Sequence, residues 1–254
     1  MTDFRIEDFN FAKYNTRRPQ EILLNVCKEG NIQVVNWLIE NNPGLKIDSN
    51  VFLSAAQSGN IELVKLILSK NPSLKDSVIG VQDSIYGMSI FDAGFIIGLS
   101  NGFIDLCKLL LTYNKYIETG IYNYQAFVNA CGQGHLEACE WFAKEYPDVI
   151  SSTAIERGFT NACVGNKFNI TNWLKSVKPN LDISHNNEET FTAVCRNNNV
   201  DVAKALLNVK PNINIRVDNY APIRAAKSAN SIDILNWLKD IKPELFQELD
   251  NAVV

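Results

Sequence analysis

Six cysteines, two histidines and four tryptophans are the side chains with which this 254-residue chain could do chemistry of its own. Thiols attack electrophiles or bind soft metals, imidazoles move protons or ligate metals, and indoles stack on cofactors. Their spacing assigns most of them elsewhere. Set a zero at Gly30, Gly59, Gly102, Gly134, Asn166, Asn198 and Asn230; successive zeros lie 29, 43, 32, 32, 32 and 32 residues apart. Three positions before zero stand Cys27, Cys131, Cys163 and Cys195, and five after it Cys107 and Cys139. Seven after it stand Trp37, Trp141, Trp173 and Trp237. Other copies fill the cysteine registers with Ala56, Leu99 or Val64. Thiols that exchange with aliphatic residues at a fixed register are expected to be free, buried core residues in a reducing compartment, neither a disulfide frame nor a zinc site. The tryptophans are expected to share one buried environment along second helices, as packing between repeats and not as a cofactor box. GxSxG, HExxH, P-loop and GxGxxG patterns are all lacking, so no catalysis, metal or cofactor is expected.

The elements that carry these registers follow from the repeat. Apolar residues seven, four and three before zero, as in Leu23-Val26-Cys27 or Phe159-Ala162-Cys163, form one stripe on a first helix. The residue four before zero is small in most copies (Ala55, Gly98, Ala130, Ala162, Ala226), which lets neighbouring helices approach. Zero itself requires a residue tolerant of positive φ, a demand met by Gly and, better than by most others, by Asn. N-cap types then follow (Asn31, Asn60, Asn199, Ser231), with acids in the first turn of a second helix. Its core stripe is read two, four, five and eight after zero. Pro43, Pro72, Pro147, Pro179, Pro211 and Pro243, all thirteen after zero, end it. Neither helix buries its stripe alone, so stability must come from stacked neighbours.

Composition narrows the partners. A hydrophobic fraction of 46% with 20% charged residues suits a folded chain, and a net charge of -4 gives no overall attraction to phosphate, so nucleic acid is not expected. The first residues lack a basic stretch followed by an apolar one, and no segment approaches the ~18 apolar residues of a membrane span. A cytoplasmic monomer without membrane contact is the expectation.

The segments Ser58-Gly59-Asn60-Ile61-Glu62-Leu63-Val64-Lys65-Leu66-Ile67-Leu68 and Gly134-His135-Leu136-Glu137-Ala138 carry a resemblance. They are similar to the Gly-His-Leu-Glu-Val-Val-x-Leu-Leu-Leu pattern of the ankyrin repeat family. The resemblance implies an all-α, ankyrin-type solenoid of about seven units over residues 20–248, with an N-terminal lead 1–19 and a tail 249–254. The stretch from Pro243 would close the stack. His135 sits at the family's Gly-His position, where it starts a helix, whereas His185 falls in a polar stretch read as a solvated loop. The family's Thr-Pro-Leu-His box survives only as Ala221-Pro222-Ile223-Arg224, and Lys-Pro-Asn loops replace the usual hairpin tips. Trp-Leu pairs, Lys-Pro loops and heavy Asn and Ile usage resemble divergent members from protists, large DNA viruses or intracellular bacteria; a viral or bacterial effector would work in host cytoplasm.

The resemblance further implies that first helices and the loop tips before them line a concave groove. Ten before zero, read as just ahead of the first helix, stand Tyr124, Glu156, Glu188 and Tyr220, with Tyr122 close by. Gln133 and Arg196 lie near the turns. The 43-residue interval places an apolar loop at 76–92, which either packs as structure or anchors a partner through Tyr86, Met88 and Phe91. These ten residues are the expected contacts to a protein partner of unspecified identity. The function expected is a non-catalytic protein-binding scaffold; the alternative is a substrate-recognition adaptor for a separately assembled enzyme such as a ubiquitin ligase.

Overall fold

The computed structural model describes residues 10–14, 18–79, 88–114, 121–183 and 185–251. It is all-α apart from one two-residue strand pairing. The helices are α1 (Pro19–Lys28), α2 (Ile32–Asn41), α3 (Ser49–Ser58), α4 (Ile61–Lys70), α5 (Ile90–Ser100), α6 (Ile104–Tyr113) and α7 (Ile121–Gln133). They continue with α8 (Leu136–Glu145), α9 (Ser152–Val164), α10 (Phe168–Val177), α11 (His185–Arg196), α12 (Val200–Val209), α13 (Val217–Ser228), α14 (Ile232–Ile241) and α15 (Pro243–Asn251). Each odd helix up to α13 is joined to its successor by one of the seven turns read from the sequence. Two compact units result, one through Ala126 and one from Phe127. In the first, α1 packs on α3 and α3 on α5; in the second, α9 packs on α11 and α11 on α13.

All seven zero positions have positive φ: 72°, 69°, 79° and 97° at Gly30, Gly59, Gly102 and Gly134, and 58°, 58° and 56° at Asn166, Asn198 and Asn230. The helix ends also follow the sequence. Six second helices stop two residues before their proline, and the intervening residue has left the helical region, with φ between -128° and -144° and ψ between 56° and 87° (Asn42, Asn71, Tyr146, Lys178, Lys210, Lys242). A following proline ring disfavours the helical conformation at that residue. The third unit has Lys115 in place of proline, yet α6 still stops at Tyr113 and Asn114 adopts the same φ of -134°. Proline therefore reinforces a stop that helix packing already sets.

The first-helix stripe is buried throughout, including Leu23, Phe52, Phe127, Phe159 and Phe191. The second-helix stripe is narrower than expected. Positions four, five and eight after zero are buried, as in Val34-Val35-Leu38 and Val202-Ala203-Leu206, except that Leu235 in the last repeat is half-buried; position two is half-buried to exposed, and Phe168 and Ile232 there are exposed. The tryptophans do share one environment, but all four are half-buried instead of buried. At about 100° per residue, positions two and seven both fall roughly 110° from the centre of the four-five-eight stripe, on its opposite flanks.

The insertion is shorter as a loop than 76–92. Strands β1 (Val78–Ile79) and β2 (Met88–Ser89) pair antiparallel, Val78 opposite Ser89 and Ile79 opposite Met88. Ser89 then caps α5, its Oγ accepting from the Asp92 amide at 3.1 Å, so Ile90, Phe91 and Asp92 belong to the helix. At the two ends, Phe11 packs its ring 6.0 Å from that of Trp37, and Tyr14 donates to Glu29 at 2.8 Å. α15 runs to Asn251 with Leu245 and Leu249 buried, three residues beyond the array end expected at 248.

Candidate functional site

Several residues ten before zero are bonded within the fold instead of standing free. Tyr124 and Glu156 lie inside α7 and α9, whereas Glu188 (φ 59°) and Tyr220 (φ 59°, ending a left-handed stretch from Asp218) stand just ahead of the right-handed turns of α11 and α13, as expected. In α1, Gln20 bonds both backbone groups of Lys46, donating to its carbonyl and accepting from its amide, each at 2.9 Å. Glu156 accepts from Lys178 Nζ at 2.8 Å with both side chains largely covered. Glu188 accepts from the Asn214 amide at 3.1 Å and lies 4.0 Å from Lys210 Nζ. Tyr220 donates to Glu248 Oε2 at 2.7 Å, and Arg216 clamps the same carboxylate with bonds of 2.8 and 2.7 Å. Gln20 and Glu188 reach backbone groups of the loop after a second helix, which need partners, whereas Glu156 and Tyr220 meet the Lys178 and Glu248 side chains. Glu156, Glu188 and Tyr220 are thus engaged inside the fold.

The remaining expected contacts divide. Phe91 is only 4% exposed, stacked on Tyr113 with ring centroids 5.5 Å apart and set edge-on to Phe52 at 6.1 Å. It is core. Met88 and Tyr124 are half-buried, and Gln133 and Arg196 are exposed at the ends of α7 and α11. Tyr86 and the Tyr122 side chain lie outside the described residues.

The thiols match their expected register. All six are free and buried, and burial pushes Cys27, Cys107, Cys163 and Cys195 up to about 12. Cys131 is raised by its contact with Cys139, Sγ to Sγ 3.6 Å, and by burial. At neutral pH Cys27, Cys107, Cys131, Cys163 and Cys195 are therefore protonated thiols, poor nucleophiles. His135 starts α8 and is half-buried, its pKa lowered by burial and by the charge of Lys167, which favours neutral imidazole. The span of α11 opens at His185, but Glu188 has φ 59°, so a left-handed residue separates this stretch from the rest of the helix.

Surface apolar residues gather where the sequence reading placed solvating groups. Lys65, Lys108 and Lys204 do stand exposed on second helices. Yet among the described residues the large exposed apolar ones are Tyr113, Phe168, Val177, Val209, Ile232 and Ile241, each two or eleven after a zero on α6, α10, α12 or α14. Of these described residues, all but Tyr113 belong to the second unit. There a cavity of about 130 Å³ opens between α10 and α12, with Phe159 on its wall and Ala205 and Val209 lining the α12 side. Phe168, 48% exposed, and Val209, 57% exposed, both line it. No family model matches this chain, and no curated protein matches it.

Proposed function

We propose that the chain is a non-catalytic protein-binding scaffold whose contact face is the second-helix side of the unit from Phe127. The observation that carries this reading is the exposure of Phe168, Val177, Val209, Ile232 and Ile241 on α10, α12 and α14. Scattered exposed aliphatics are ordinary on a protein surface, but here Phe168 of α10 and Val209 of α12 meet at one recess, and apolar residues recur at the same two registers of neighbouring helices. The paired helices with their Gly and Asn turns and Pro stops also support the ankyrin-type resemblance. The expected first-helix groove is weakened because Glu156, Glu188 and Tyr220 are occupied by partners within the chain, Lys178, Asn214 and Glu248.

Affinity capture from source cells with matched variants tests the reading. Phe168→Ser with Ile232→Ser should abolish capture of a specific partner that Gln133→Ala with Arg196→Ala leaves intact. Loss with the second pair alone would place the interface on the first-helix side and overturn the assignment.

A further inference from the structure

The cavity between α10 and α12 has an internal counterpart that says what fits it. Seven after zero, α10 carries Trp173, and its ring lies over Phe127, the residue seven before the preceding zero, at a centroid distance of 6.3 Å and an interplanar angle of 61°. One repeat later the same two registers hold Ala205 and Phe159. Phe159 keeps its place and is only 4% exposed, while alanine leaves open the space an indole would fill, and both residues line the cavity. The void therefore stands where the repeat elsewhere places an indole.

Charge sharpens the fit. Lys167 and Lys175 line the cavity, no acidic side chain does so, and neither lysine forms an ion pair among the described residues. The Lys175 charge reaches the Cys163 thiol on the wall, partly opposing the rise that burial produces. The Lys167 ammonium lies toward the Gly134 turn, so Lys175 is the cation that charges the recess, and an apolar recess beside a cation favours an aromatic ring carried beside negative charge.

We propose that this cavity receives a tryptophan side chain from a partner protein, in a segment where acidic residues flank that tryptophan. This rests on the protein-binding reading above and narrows it to one anchor. A recess of this kind gains most by admitting a rigid ring that buries much area while losing few rotamers.

The test uses the full chain and a labelled peptide with one tryptophan between pairs of glutamates, followed by fluorescence anisotropy. Saturable binding is expected in the high-micromolar range, weakened at least tenfold when the peptide tryptophan becomes alanine. Ala205→Trp, which supplies the missing indole in cis, should abolish binding and raise the melting temperature. Lys175→Glu should weaken the glutamate peptide several-fold and favour a lysine-flanked version, and this arm serves if Ala205→Trp does not fold. Absence of saturable binding at millimolar peptide, or binding untouched by both protein variants, overturns the anchor. If partner capture still fails with Phe168→Ser and Ile232→Ser in that case, the docking face stands and only the anchor is lost.

Discussion

Gly59 and Asn198 occupy the same turn register in different units and solve the next junction in opposite ways. At Gly59, φ is 69° and an added Cβ would meet the Phe103 ring at 2.8 Å, so the turn makes room for the neighbouring unit's side chain. At Asn198, φ is 58° and the side chain reaches forward instead. Its Oδ1 accepts from the Ile234 amide at 3.0 Å and its Nδ2 donates to Asp233 at 2.8 Å, so it caps α14 from the preceding turn. The residue that would ordinarily cap that helix, Ser231, donates to the Arg196 carbonyl at 2.7 Å. One dihedral requirement thus admits two junctions, a packed ring or a hydrogen-bonded cap, and the choice between Gly and Asn selects which.

The largest effect expected on that comparison is at the glycine. Gly59→Ala combines a positive φ with a steric clash and should destabilise by about 3 kcal/mol in chemical denaturation. In a Phe103→Ala background the penalty should fall to about 1 kcal/mol, because only the dihedral cost remains. Equal penalties in both backgrounds would break the ring explanation. Asn198→Ala should cost about 2 kcal/mol, the sum of a lost cap and an unfavourable dihedral. Asn198→Gly removes the cap but relieves the backbone, so about 1 kcal/mol is expected; a neutral outcome would mean that the forward cap contributes nothing.

The smallest effect is local and depends on pH. Arg216 and Tyr220 hold the Glu248 carboxylate down to about 2, with Arg216 the larger cause. A depressed carboxylate contributes its stability above the ordinary carboxylate range and loses it as pH falls toward the folded value. Hydrogen exchange in α15 should therefore speed up relative to α14 between about pH 4.5 and pH 2. Glu248→Gln should flatten that dependence; an unchanged profile would remove the clamp from the account of how α15 docks.

What was legible in the sequence was local. Positive φ is a property of single residues, so all seven turns could be placed from Gly and Asn, and the prolines marked where helices stop. The buried stripes followed from helical period, although position two was read into the core because an apolar residue at a helix start looks the same whether it faces in or out. The loop-holding role of Gln20 and Glu188 was hidden because each partner, Lys46 or Asn214, lies 26 residues downstream. The cavity was hidden for a different reason. Attention to the tryptophans present at position seven passes over Ala205, whose meaning comes from what it lacks.

The side chains one after zero give the array a direction. Asn60 Nδ2 donates back to the Gly30 carbonyl at 3.0 Å, Asn199 Nδ2 to the Val164 carbonyl at 2.7 Å, and Ser231 to Arg196. In the second unit, Asn198 also caps forward onto α14. If the sixth helix pair opens, α14 loses both its cap and the carbonyl that anchors Ser231, whereas opening of α14 leaves the helical bonds of α11 and α12 in place. Unfolding of this segment is therefore polar: it proceeds at lower free energy from the C-terminal side inward than from the middle outward, and a break at Asn198 releases everything behind it as a single piece.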